Sequence, residues 1–265
     1  MTGQPFRAQY RGAALSIFAH VLALFAGFSL LAMVFEFPEI LRQPAPYRLE
    51  LYLRNQPTVQ VLYWMLAMTG FTQIAMTVFL HRSFRERSST VLSFALVFGI
   101  LTGILQTMGF IRWAVLIPYL AAQMTDPAAS ATTREAVALV EGAFNRYAGM
   151  ALGEHTANLC LGLWTGLLGI AMARARLVDP RLAWGGVFIA PLAFILALEQ
   201  LGVSGWLLEA VTTFGFALWA VWLILVGVSL LRTDADTGIP PRMTWRTVLA
   251  GGVLYCAMII PSLFE

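Results

Sequence analysis

Ionisable and amide side chains inside otherwise apolar segments are the residues of this 265-residue chain that could do chemistry. A charge at the centre of a membrane costs about 2.5–3.5 kcal/mol, so such residues usually face one another or a polar cavity. Those that occur towards one end of several apolar segments are Arg112, Glu154, His155, Asn158, Glu199, Gln200 and Glu209. Their distribution predicts one polar slab that contains a ligand-binding site.

Within this slab, a bidentate arginine–carboxylate pair is the natural anchor. We expect Arg112 to hold an anionic ligand group or to balance the acids. Glu154 and His155 would accept or donate hydrogen bonds, and Glu199 and Glu209 would close the site. The alternative is that each side chain extends separately to the membrane surface.

The same residues leave two other kinds of chemistry open. His155 and a carboxylate such as Glu154 could act as the base and acid of an intramembrane enzyme. They could also bind a divalent metal, although the charge of Arg112 would oppose a cation. Haem ligation by His20 and His155 requires matching depths, and the helical rise places them about 10–15 Å apart in depth. We therefore favour neither metal nor haem, and the cofactor is left unassigned.

The composition indicates that these residues lie in a membrane rather than in water. Hydrophobic residues make up 59% of the chain and charged residues 12%, against about 25% charged in a soluble domain. This excludes a soluble enzyme, a nucleic-acid binder and a disordered protein. All 17 basic residues are arginine, which excludes a Schiff-base lysine. Cys160 and Cys256 lie in apolar stretches and indicate packing rather than a disulfide.

Seven apolar stretches are long enough to cross a hydrocarbon core as helices. The sequence therefore predicts an all-α, polytopic transmembrane helix bundle that forms a single domain over residues 1–265. The predicted spans are 12–36, 58–80, 89–111, 151–173, 182–203, 206–231 and 246–264.

Arginine counts predict the orientation of these spans. With a cytoplasmic N-terminus, the cytoplasmic segments carry 11 arginines and four acids, and the opposite segments carry six arginines and ten acids. Because cytoplasmic loops are enriched in arginine and lysine, this distribution favours a cytoplasmic N-terminus. The polar slab would then face outward.

The two long outer loops predict structure of their own. Residues 37–57 contain four prolines between leucines and tyrosines, which indicates a short element at the interface. In residues 124–150, Thr132 and Glu135 match a capping box. The apolar residues that follow at helical spacing predict an amphipathic helix on the outer surface before span 4; they are Val137, Val140, Phe144 and Tyr147.

Two motifs resemble a bacterial multi-span membrane family of unknown function. The first is Gly149-x3-Gly153-Glu154-His155, followed by Leu163-Trp164, and the second is Arg112-Trp113-x4-Pro118. The resemblance covers about residues 60–230. It implies a multi-pass protein of the bacterial cytoplasmic (inner) membrane, and it transfers no activity.

These observations favour a membrane protein that binds or carries a small polar or anionic molecule in an outward-facing pocket. The alternatives are an accessory subunit of a larger membrane complex and an intramembrane enzyme. The expected partners are membrane lipids, the ligand and, for the accessory subunit, another membrane protein. Nucleic acid is not expected.

Overall fold

The computed structural model describes residues 3–84, 90–176, 178–233 and 249. The described part is all-α. Its helices are α1 (Gly3–Phe35), a 3₁₀ turn (Glu39–Arg42), α2 (Ala45–Arg54), α3 (Gln56–Phe84), α4 (Thr90–Thr125), α5 (Ala131–Phe144), a π-helical segment (Asn145–Thr156), α6 (Ala157–Ala175), α7 (Pro180–Leu198), a 3₁₀ turn (Glu199–Leu201) and α8 (Trp206–Arg232).

Six helices of the described part are long and apolar enough to cross a membrane. They are Arg7–Phe35, Gln56–Phe84, Thr90–Thr125, Ala131–Ala175, Pro180–Leu201 and Phe214–Arg232. Each of them overlaps one of the first six predicted spans, which confirms a multi-span helical membrane protein. The predicted span at 246–264 lies outside the described residues, apart from position 249.

The spanning helices pack in chain order around a closed ring. Helix α1 contacts α3 and α8, α4 contacts α3 and α6, and α7 contacts α6 and α8. Small residues bring neighbouring helices close: a Cβ on Gly103 would lie 2.5 Å from the carbonyl oxygen of Gly70. Close backbone approach of this kind stabilises helix pairs where lipid supplies no hydrophobic drive.

Polar side chains tie the middle of the ring together. His20 Nδ1 lies 3.0 Å from the carbonyl oxygen of Thr69 and 2.9 Å from the hydroxyl of Thr72. The indole N–H of Trp219 donates to the hydroxyl of Thr165 at 3.1 Å. These bonds join α1 to α3 and α6 to α8, so the buried polar groups hold helices together.

Helix α4 is longer than the predicted span 89–111, because it continues through Pro118 to Thr125. Proline lacks the N–H that would bond the carbonyl four residues earlier, here that of Ala114. The side-chain amide of Gln60 donates to that carbonyl at 2.9 Å. Arg112 therefore lies inside a helix rather than at the end of one.

Helices α5 and α6 form one continuous helix through the π segment. The N-cap is Ser130, whose hydroxyl accepts from the Thr133 amide, so the predicted capping box at Thr132 is two residues late. The predicted apolar face is also rotated. Val137 is buried, but the next turns bury Glu141 and Asn145, and Phe144 is exposed.

Candidate functional site

Residues 36–54, named here the cap segment, fold back over one end of the ring. Ile40, Leu49 and Tyr52 of this segment are fully buried. The hydroxyl of Tyr52 donates to the carbonyl oxygen of Trp113 at 3.0 Å. The predicted interfacial element is thus a covering layer that contacts the bundle.

Arg42 of the cap segment joins two of the predicted site residues. Its guanidinium lies 2.5 Å from the carboxylate of Glu199 and 3.2 Å from that of Glu154. The amide of Gln200 donates to Glu154 at 2.5 Å. The predicted convergence of Glu154, Glu199 and Gln200 therefore occurs, although their cationic partner is Arg42. We call Arg42, Glu154 and Glu199 the acidic triad.

The acidic triad is partly open to solvent. The side chains of Arg42, Glu154 and Glu199 are 41%, 28% and 33% exposed. Burial lowers the pKa of Arg42, but the charges and hydrogen bonds of the two carboxylates outweigh burial and raise that pKa above its ordinary value. One arginine thus bridges two carboxylates, one from the π segment and one from the 3₁₀ turn that follows α7.

A second arginine of the cap segment forms a buried ion pair. Arg48 and Glu141 are 7% and 1% exposed, and the guanidinium donates to both carboxylate oxygens. Arg48 also donates to the carbonyl oxygen of Gln43. Because Glu141 belongs to α5, this pair fastens the cap segment to the long helix.

Arg112 is buried among neutral acceptors. Its guanidinium donates to the carbonyl oxygen of Gly109 and, at 3.0 Å, to the amide oxygen of Asn145. Asn145 in turn donates to the carbonyl oxygen of Leu41. The expected contact between Arg112 and the acids is thus replaced, among the described side chains, by a link through Asn145 to the cap segment.

The two glycines of the first motif allow the π segment to approach α4, Gly149 at Arg112 and Gly153 at Gly109. A Cβ on Gly149 would collide with the Arg112 guanidinium, and a Cβ on Gly153 would lie 2.8 Å from the Cα of Gly109. The π segment therefore approaches α4 closely, and the absence of a side chain at Gly149 leaves space for the Arg112 guanidinium. π-helical turns are rare and often occur at functional sites.

Trp113 of the second motif anchors an aromatic cluster beside this arginine. Its ring stacks on Tyr63 at 4.9 Å between centroids and meets Phe35 edge-on at 5.2 Å. The Arg112 guanidinium lies 5.3 Å from the Trp113 ring centroid. Arg112 Nε and the buried Tyr63 hydroxyl have no hydrogen-bond partner among the residues that the structure describes.

The remaining predicted residues lie around this centre. His155 Nδ1 donates to the carbonyl oxygen of Ala197 at 2.8 Å, which leaves Nε2 of the neutral ring as an acceptor. Asn158 is half-buried in the first turn of α6. Glu209 lies in the first turn of α8, and its side chain is outside the described part.

Five residues of this arrangement were missed from the sequence: Arg42, Arg48, Tyr63, Glu141 and Asn145. The two arginines were assigned to an interfacial loop. Glu141 follows Val137 by four residues, and that spacing is a signal which could have placed it on the buried face.

Other features surround the site. Among the described residues, no three His, Cys, Asp or Glu side chains group closely enough to hold a metal ion. An apolar crevice lies between α6, α7 and α8, and its lining includes Leu161, Ala193, Leu196 and Gly215. This crevice differs from the predicted polar pocket in its lining.

Comparison with known proteins identifies a family. Residues 13–227 match the family described as domain of unknown function (DUF4386), and because the match covers most of the chain, the protein belongs to this family. No curated protein and no solved structure matches the chain.

Proposed function

We propose that this member of the DUF4386 family binds a small polar or anionic molecule within the membrane, with Arg112 holding the anionic group. The observation that supports this most directly is a buried guanidinium in contact with neutral acceptors only, among the described side chains. A buried charge is costly unless a partner offsets it. An anion beside Arg112 would supply that partner.

The surroundings of Arg112 suit such a ligand. Arg112 Nε and the hydroxyl of Tyr63 are two buried donors without a described partner, and both side chains lie against the Trp113 ring. A carboxylate or phosphate oxygen accepts from donors of both kinds. The acidic triad above the site is partly exposed, and exposed ion pairs contribute little to stability. The cap segment is therefore the route by which a ligand would enter.

The proposal includes a location and an orientation. The arginine distribution favours a cytoplasmic N-terminus, which places the cap segment on the outer side. The resemblance of the two motifs to a bacterial membrane family supports the bacterial cytoplasmic membrane.

A thermal-shift titration tests the binding site. Acetate, succinate and inorganic phosphate are added in turn to the detergent-purified protein at constant ionic strength. We expect at least one anion to raise the melting temperature of the wild type and not that of Arg112→Gln. Arg134→Gln, a change at an exposed arginine of α5, should respond like the wild type. Equal responses of all three proteins would refute the role of Arg112.

An accessory subunit is the second candidate, because α5 and the π segment carry exposed apolar side chains. Leu139 and Tyr147 are 75% and 66% exposed on the long helix that carries the site. A photo-crosslinking residue at 147 should then give a discrete protein adduct in native membranes, and one at the exposed Val115 of α4 should not. The enzyme alternative has less support, since the described contact of His155 is to a carbonyl group.

A further inference from the structure

Residues 37–43 of the cap segment, named here the flap, make few buried contacts. Ile40 is fully buried, whereas Glu39 and Arg42, at the two ends of the 3₁₀ turn, are exposed. The backbone bonds of the flap are largely its own, such as the bond from the Ile40 amide to the carbonyl oxygen of Glu36 at 2.9 Å. Segments with few buried apolar contacts open at a low cost in free energy.

Helix α2, which follows the flap in the cap segment, is anchored in the bundle. Arg48 and Glu141 form the buried ion pair, and Leu49 is fully buried. The hydroxyl of Tyr52 donates to the carbonyl oxygen of Trp113. These contacts fasten α2 to both α4 and α5, so the two parts of the cap segment differ in how firmly they are held.

The flap begins next to a strained backbone position. Glu36 has a φ of 51°, in the left-handed region that residues other than glycine rarely adopt. Its carboxylate is held by α2, since the hydroxyl of Tyr47 lies 2.9 Å from both carboxylate oxygens. Strained positions of this kind cluster at ligand clamps and switch regions. Glu36 therefore marks a hinge between α1 and the flap.

Polar contacts close the flap onto the bundle. The Arg42 guanidinium lies 2.5 Å from the carboxylate of Glu199 and 3.2 Å from that of Glu154, and all three side chains are partly exposed. The carbonyl oxygen of Leu41 accepts from Asn145 at 3.4 Å. Exposed ion pairs contribute little to stability, so these contacts can break while the buried pair of α2 stays intact.

The closed flap covers the approach to Arg112. Asn145 donates to the flap at Leu41 and accepts from the Arg112 guanidinium at 3.0 Å. Glu154, which Arg42 contacts, belongs to the same π segment as Gly149, and Gly149 lies against that guanidinium. The flap is thus connected to Arg112 through a single side chain, that of Asn145.

From this arrangement, we propose that the flap is a lid, which opens when Arg42 leaves Glu154 and Glu199 and which admits the anion to Arg112. Helix α2 stays fixed during this movement. The inference rests on the proposed function, because it describes how the ligand reaches the Arg112 site. It adds a moving segment and gives Arg42 the role of closing that segment rather than of holding the ligand.

Cysteine labelling of the detergent-purified protein measures the opening without any ligand. Ile40→Cys and Leu49→Cys place a thiol at fully buried positions of the flap and of α2, each in a background with Cys160→Ala and Cys256→Ala. A water-soluble maleimide should label position 40 faster than position 49. Arg42→Gln should raise the rate at position 40 about fivefold, which corresponds to about 1 kcal/mol, and leave position 49 unchanged.

Two further variants show whether the effect belongs to the contact of Arg42. Arg54→Gln breaks an exposed ion pair with Glu50 inside α2, and it should alter neither labelling rate. Glu199→Gln should raise the rate at position 40. Adding Glu199→Gln to Arg42→Gln should change that rate little further, because the two side chains share one contact.

Hydrogen exchange of the chain without cysteine substitutions keeps the test decisive if Ile40→Cys fails to fold. The amides of Ile40 and Gln43 are bonded within the cap segment, and they should exchange faster in Arg42→Gln than in the wild type. The amides of α2 should exchange at the same rate in both proteins.

The inference is overturned if Arg42→Gln leaves labelling and exchange of the flap unchanged, or if it accelerates those of α2 equally. Either result can occur while an anion still raises the melting temperature of the wild type and not that of Arg112→Gln, and the proposed function would then stand without the lid. A flap that opens as expected in a protein without any anion response would instead overturn the Arg112 site.

Discussion

Arg48 and Glu141 carry opposite charges almost out of reach of water. Removing one partner leaves the other charge buried, which typically costs 3–5 kcal/mol. We therefore expect Glu141→Gln to lower the free energy of unfolding by about 3 kcal/mol or more. Thermal unfolding in detergent measures this, with Glu135→Gln on the exposed side of α5 as a control that leaves the melting temperature unchanged.

A double variant separates the value of the pair from the cost of breaking it. Replacing both partners with apolar residues, as in Arg48→Met with Glu141→Leu, leaves no unpaired charge. Such replacements are often neutral or stabilising. The double variant should be more stable than Glu141→Gln, and lower stability than the single variant would contradict the assignment of a buried ion pair.

Gly149 and Gly142 offer a matched test of the space around Arg112. A Cβ at position 149 meets the guanidinium, whereas a Cβ at position 142 meets nothing within 4 Å. Overpacking costs about 1–3 kcal/mol, so Gly149→Ala should destabilise the protein. Gly142→Ala should stabilise it by up to about 1 kcal/mol, through higher helix propensity. Equal melting temperatures would show that Arg112 does not lie against Gly149.

The depth of a polar residue in the membrane could be predicted from the sequence, whereas contacts between separate segments could not. Arg112, Glu154 and Glu199 were found because hydropathy and helical rise place them in one slab. Arg42 was missed because the return of a loop onto the bundle depends on tertiary packing. Glu141 was missed because acids on a surface helix usually face water, and here Arg48 offsets its burial.

At the scale of elements, Gln60 of α3 compensates for Pro118 of α4 by donating to the carbonyl of Ala114. Gln60→Leu should leave the Ala114 carbonyl without its donor and cost about 0.6–2 kcal/mol, as membrane hydrogen bonds do. In a Pro118→Ala background the backbone N–H returns and can bond that carbonyl itself. Gln60→Leu should then cost much less. Equal costs in the two backgrounds, measured by thermal unfolding, would contradict the compensation.

The existence of the six described spans followed from hydropathy, whereas several helix ends did not. The predicted third span ends at residue 111. Helix α4 nevertheless reaches Thr125, because Gln60 donates to the carbonyl that Pro118 leaves without a donor. The π segment gives no hydropathy signal. Its glycines were noticed as a motif, but their role against Gly109 and Arg112 depends on a neighbouring helix.

At the scale of the whole molecule, the closed ring explains how distant residues share one site. Helices adjacent in the chain are neighbours in space, and α1 meets α8. The cap segment follows α1 and therefore lies over the end at which α4, the π segment and α7 meet. Hydropathy cannot indicate this order, because every spanning helix has a similar apolar composition.

The proposed orientation is tested by cysteine labelling in a background with Cys160→Ala and Cys256→Ala. Ala128→Cys precedes α5 and Arg181→Cys begins α7, and both positions are exposed at opposite ends of intervening helices. A membrane-impermeant maleimide should label position 128 in intact cells and position 181 only after lysis. The reverse pattern would place the N-terminus outside.

Native mass spectrometry of the protein purified from its own membranes tests the central claim most directly. A small anionic species should accompany the wild type and Arg134→Gln and should be lost from Arg112→Gln. Arg112 then holds the ligand. Retention of the same species by Arg112→Gln, or its absence from the wild type, would contradict an anion site at Arg112.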